Sequence, residues 1–130
     1  YESHNQDLLD EMFEFEWTAS GTPLRSGLER VGRYYSNQLN GKTDPIISAC
    51  QQNYSVLFTD GYWSGNDNLQ TNAIENTDQD GDGSKYSVAD VAKYYYDTDL
   101  SSLPNDVPTS TTDQNEAQHM VTFTVACGGE

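Results

Sequence analysis

The spacing of hydrophobic positions changes along the chain from helical to continuous and back. Leu9, Phe13 and Trp17 recur every four residues with Leu8 and Met12 beside them, and the opposite face is acidic. This pattern predicts an amphipathic helix over about 6–17. Ser3 can open it with Gln6 reaching back, or Asn5 can take the cap, and Thr18-Ala-Ser-Gly21 breaks it. Leu24, Leu28, Val31 and Tyr35 then form the buried stripe of a second helix over about 23–39. Thr22 is a good cap and Pro23 suits the first helical position. Arg25, Arg30 and Arg33 fall among its solvent-side positions, and Asn40-Gly41 ends it.

Beyond Ile46 and Ile47 the periodicity disappears. Tyr54 to Thr59 is an unbroken run of apolar, β-branched and small residues, followed at once by Asp60-Gly61. A run that does not alternate with polar residues predicts a strand buried on both faces, here over about 53–60. His119 to Ala126 is a second run of this kind, closed by Cys127-Gly-Gly129. Between them Val88, Val91 and Tyr95 share one face of a third helix over about 88–98, with Ala92 and Tyr96 adjacent. Ser87 and Asp90 form the acidic variant of a capping box at its start. Strands separated by helices pair in parallel through right-handed crossovers. The fold class is therefore α/β, within a single domain spanning 1–130.

Composition narrows the partners. A net charge of −15 in 130 residues excludes nucleic acid and anionic membrane, and carboxylates in such excess are reconciled by cations or by solvation. Tyrosine and tryptophan are too plentiful for a disordered chain. No apolar run approaches the length of a transmembrane segment. The chain starts at Tyr1 with neither initiator methionine nor signal sequence, as a processed mature chain or an excised piece would. Cys50 and Cys127 have no metal-ligand spacing. One bridge in an oxidising compartment and two free thiols both fit their number.

The stretch from Tyr62 to Tyr86 has no periodicity and is rich in Asn, Asp and Gly. A loop of that length inside a domain is normally functional or disordered. Within it, Asp78-Gln-Asp80-Gly-Asp82-Gly83-Ser84 places acids at alternate positions before a glycine, as the first half of a calcium loop requires. Oxygens spaced by two converge when the chain curls. The twelfth loop position, where a bidentate acid would close the shell, is Ala89, and Asp90 stands one place further on. Asp90 closes the shell if the turn carries an extra residue; otherwise it only caps its helix. The rival reading of the whole stretch is a solvated Asp/Gly turn. Catalysis finds no support: there is no Gly-x-Ser-x-Gly, His-x-x-x-His or Gly-rich phosphate loop. His4 and His119 have no partner at meaningful spacing, and His119 reads as the residue that starts a strand. Tyr94-Tyr-Tyr96 and Trp63 read as core aromatics before carbohydrate contacts.

Thr22 and Asp60 taken together carry a resemblance. Gly21-Thr-Pro-Leu24 opening a helix, then a buried strand ending Thr59-Asp-Gly61, resembles the second half of a von Willebrand factor A domain. Cys50 to Ser64, Val88 to Tyr96 with Thr98-Asp-Leu100, Leu103 to Pro108 and Gln118 to Val125 resemble the type IV pilus biogenesis and tip-adhesin proteins of the PilY1/PilC family. That resemblance implies a partial von Willebrand factor A-like, Rossmann-like layer structure, the carboxyl-side fragment of a larger domain. It implies a secreted, surface- or pilus-associated adhesion and biogenesis module that is not an enzyme. Its partners would be pilin or pilus assembly proteins and a host surface or matrix protein, and calcium its ion. The alternatives are a purely structural calcium-ordered domain and a fragment of a metal-dependent hydrolase. In the family, Thr22 and Asp60 would be two parts of a metal-ion-dependent adhesion site. The third, Asp-x-Ser-x-Ser, is missing, so magnesium or manganese is expected only in the complete domain. The strand that would carry it should lie beside 53–60, and without it that edge is open, which implies a homodimer or swapped assembly. Cys50 precedes its strand and Cys127 follows a parallel neighbour, so an intrachain bridge is disfavoured; Cys50 is left to pair outside the fragment.

Overall fold

The computed structural model describes residues 2–14, 21–61, 63 and 68–127. Three helices, α1 (Glu2–Glu14), α2 (Leu24–Tyr35) and α3 (Val88–Asp97), and two strands, β1 (Asn53–Thr59) and β2 (Met120–Ala126), follow in the order α1, α2, β1, α3, β2. The strands pair in parallel from Asn53 opposite Met120 to Thr59 opposite Ala126. The α/β class and the parallel pairing stand as expected. The further layering of a von Willebrand factor A sheet is not seen among the described residues, of which α2 and α3 pack on each other and on the strands while none covers the other sheet face.

That bare face corrects the expectation of doubly buried strands. β1 alternates: Asn53 and Ser55 are buried, whereas Tyr54, Val56 and Phe58 are 47%, 56% and 69% exposed. Phe123 and Val125, which lie beside Val56 and Phe58, are exposed with them. The polar side of β1 is the inward one. It is satisfied by Asn53 Nδ2 donating to the His119 carbonyl (3.1 Å) and Ser55 Oγ to Thr122 Oγ1 (2.9 Å), as burial of polar groups demands.

The core is built instead between the helices and the long connections. Leu28, Ile46, Leu69, Ile74, Val91, Tyr95, Leu100 and Met120 are buried together. Leu69 and Ile74 belong to the aperiodic stretch, so packing orders part of it. Arg25 corrects its solvent-side placement: it is 2% exposed, with Glu75 at 3.9 Å and the Tyr86 ring at 5.5 Å. Val31, assigned to the buried stripe of α2, is exposed.

Three helix ends also move. α1 starts at Glu2, so Ser3 and Asn5 lie inside it, and Gln6 Nε2 donates forward to Asp10 (2.7 Å). Its described side chains, Leu8, Leu9 and Phe13 included, are exposed; Trp17 lies outside the described residues. In α2 the N-cap is Pro23 and not Thr22. The helix closes well before Asn40-Gly41. Gln38 N–H donates to the Arg33 carbonyl (2.9 Å) and Asn37 N–H to that of Tyr34 (3.1 Å), with Asn37 at φ 53°. This is a Schellman ending, in which asparagine takes the left-handed position. At α3 the Ser87–Asp90 capping box forms in both directions.

Candidate metal loop and strand-end recess

The alternation of acids in 78–84 becomes geometry through two left-handed glycines, Gly81 at φ 80° and Gly83 at φ 89°. They curl the chain so that carboxylates point inward while backbone N–H groups bond them from outside. Gly81 and Gly83 N–H donate to the two oxygens of Asp78 (2.7 and 3.0 Å), Asp82 N–H to Asp80 (3.2 Å) and Ser84 N–H to Asp82 (2.7 Å). One carboxylate oxygen from each of Asp78, Asp80 and Asp82 then lies within 4.8 Å of the others. Oxygens held 2.3–2.6 Å from one ion are separated by at most about 5 Å. That spacing is of the order a single hard cation requires, and the three side chains would supply about half of the six to eight oxygens calcium takes. Partial desolvation, with the negative charges of Asp82, Asp90 and Asp78, pushes the Asp80 carboxyl above its ordinary value against the pull of the Asp82 N–H. A cation would relieve that repulsion.

Ser84 and Asp90 are placed differently. Ser84 contributes its N–H to Asp82. Asp90 is 1% exposed, and one oxygen accepts Gln79 N–H (2.7 Å) while the other accepts the Ser87 N–H (3.0 Å) and hydroxyl (2.8 Å). Burial works to raise its carboxyl, and these donors together with Asp80 N–H overcome it and hold the group below the usual carboxylate range. Asp90 thus caps α3 and fastens the start of the loop to it, outside the cluster of three.

Thr22 and Asp60, 38 residues apart in sequence, line one recess. Shared with Phe58, Thr59 and Cys127, it is a shallow space of about 340 Å³ at the carboxyl ends of the strands, where parallel sheets gather ligands. Cys127 N–H continues the pairing to the Thr59 carbonyl (2.8 Å). Cys50 lies before the opposite strand end, and both cysteines are free and exposed.

Two polar centres were not legible as such. Glu29, on α2, is 2% exposed, and one of its oxygens accepts Gln70 N–H (2.8 Å) and Thr71 N–H (2.5 Å). His119 is buried. Its Nδ1 lies 2.7 Å from the Ala117 carbonyl and its Nε2 2.9 Å from Asp113 Oδ2. Tyr96 donates to the other Asp113 oxygen (2.9 Å) and stands edge-on to the imidazole at 4.9 Å. Burial works to raise the Asp113 carboxyl, but the Asn115 N–H, Tyr96 hydroxyl and His119 hold it below its ordinary value.

No protein-family model matches the chain, and no solved structure matches it. Over 152 aligned residues it is 31% identical to the Type IV pilus biogenesis factor PilY1 of Pseudomonas aeruginosa (strain UCBPP-PA14), a match that covers 88% of this chain. The chain spans only 13% of the length of that relative. What the match shows is a PilY1-related region.

Proposed function

We propose that this chain is part of a type IV pilus biogenesis and adhesion module displayed outside the cell, with a loop at 78–84 that calcium orders. The similarity over 88% of the chain to a pilus biogenesis factor carries the pilus reading. The convergence of Asp78, Asp80 and Asp82 carries the calcium reading. Partners in this reading are pilus assembly proteins and, for adhesion, a surface protein of the host. The chain's role is non-enzymatic. The recess at Thr22 and Asp60 would be the part of a von Willebrand factor A-like adhesion site that this region holds, completed for magnesium or manganese by residues elsewhere.

The ion's contribution is charge neutralisation of three carboxylates; the chain's residues shape the loop and hold it to α3 through Asp90. Calcium at a hundred times its dissociation constant should stabilise the fold by about 2.7 kcal/mol. Calorimetric titration of the chain with calcium should show binding that Asp80→Ala and Asp82→Ala each abolish. Absence of calcium-dependent heat, with the variants indistinguishable from the parent, would leave a solvated turn.

A second reading, self-association, is favoured by the exposed Tyr54, Val56, Phe58, Phe123 and Val125. The two strands have no third neighbour among the described residues, and unpaired apolar edges template pairing with another chain.

A further inference from the structure

The segment from Val107 to Ala117 leads into β2 without regular structure, and among the bonds that hold it the Asp113 side chain makes those to Tyr96 and His119. Val107 is buried and its N–H donates to the Glu116 carbonyl (3.0 Å), while Ser110 N–H donates to that of Asp113 (2.6 Å). Its ties to the body of the molecule are few. Asn115 Nδ2 donates to the Tyr96 carbonyl (2.7 Å), Gln52 Nε2 reaches the Pro108 carbonyl at 3.4 Å, and Asp113 holds both Tyr96 and His119. Asp113 also accepts Asn115 N–H (3.1 Å), so it organises the segment internally as well.

The count of protons at His119 decides how strong this tie is. Both ring nitrogens face oxygens that can only accept: a backbone carbonyl at Nδ1 and, at Nε2, a carboxylate held in its ionised form. A neutral imidazole has one N–H and one lone pair. It can satisfy one of these oxygens, and its lone pair then confronts the other at under 3 Å. Only the doubly protonated ring donates to both, and it adds a charge-assisted bond to Asp113.

We propose that His119, Asp113 and Tyr96 form a proton-operated clamp, closed by the doubly protonated His119 ring and loosened over the 107–117 segment when that ring loses a proton. The groups around the ring fit this role. From the segment comes the Asp113 carboxylate, from α3 the Tyr96 hydroxyl and ring, with Lys93 Nζ 5.9 Å from the ring's centre on that residue and Asp97 bonded to Lys93. From β1 comes only the neutral Asn53 amide, on the His119 carbonyl. The clamp shapes a groove of about 440 Å³ that Tyr54, Tyr96, Pro108, Asp113, Val121 and Phe123 help to line. Opening it moves the wall made by Pro108 and Asp113.

Amide hydrogen exchange of the 130-residue chain, corrected for intrinsic rates, tests this between about pH 5 and about pH 8, the span over which imidazoles change charge. Protection at Val107, Ser110 and Asn115 should fall about tenfold across that span, a difference of about 1.4 kcal/mol, while protection in α3 stays constant. In His119→Gln, whose amide donates to Asp113 without titrating, the same amides should show no change with pH. Ring nitrogen shifts should show two protons on His119 at the acid end. Constant protection across the span, a pH response that survives in His119→Gln, or a single ring proton at the acid end would overturn the clamp.

Discussion

Gly32 stands where α2 meets α3, and the Tyr95 ring fills the space its missing side chain leaves. A Cβ there would lie 2.4 Å from two carbons of that ring and 2.5 Å from its root. Tyr95 cannot step aside, because it is 1% exposed and its hydroxyl meets Thr71 Oγ1 at 3.2 Å; burial pushes that hydroxyl's pKa up to about 12. Gly32→Ala should therefore destabilise the fold by about 1–3 kcal/mol through overpacking, despite the better helix propensity of alanine. Urea midpoints of parent and variant measure this directly; an unchanged or raised midpoint would mean that the helices separate at no cost. The core role of Tyr95 followed from its spacing with Val88 and Val91. The requirement for glycine opposite it did not, since no local pattern shows which residue of one helix another will touch.

At the scale of elements, Asp90 joins two pieces that the chain pattern kept apart. Its capping of α3 was readable from Ser87-x-x-Asp90, a contact between neighbours in sequence. Its bond to Gln79 N–H, eleven residues upstream, was not. Because the folded state lowers the carboxyl's pKa, its contribution is fully present above the unfolded value of about 3.9 and is lost as pH falls through the lower folded value. Asp113 has the same sign. Asp90→Asn should cost about 1–2 kcal/mol at neutral pH, and denaturant midpoints of the variant should fall less steeply below about pH 4 than those of the parent. Equal acid sensitivity in both would remove Asp90 from the account. The strands belong to this scale too. Their runs located them within a residue, but the pattern of side chains did not reveal that the polar pair Asn53 and Ser55 faces inward while Tyr54, Val56 and Phe58 face out.

For the whole molecule the question is what the bare sheet face does. Tyr54, Val56, Phe58, Phe123 and Val125 are five apolar side chains on one side of a two-stranded sheet, in a chain of net charge −15 that otherwise favours solvation. If this face and the open edges sustain self-association, light scattering should report a mass above one chain at high concentration. Val56→Lys and Phe58→Lys, which place charge on the patch, should return it to one chain. A single-chain mass for the parent would end the self-association reading.

The sequence alone sufficed for whatever depends on near neighbours: the five elements, the parallel pairing that helical crossovers impose, the capping box, and the alternating acids of 78–84, whose convergence needs only two left-handed glycines. The tertiary structure decided which face of each strand meets the helices, that Arg25 and Glu29 are buried, that Leu69 and Ile74 anchor a stretch without periodicity, and that His119 finds Asp113. Those outcomes depend on contacts between segments tens of residues apart. Their energies come from packing and desolvation in three dimensions, for which the linear order of side chains carries no signal.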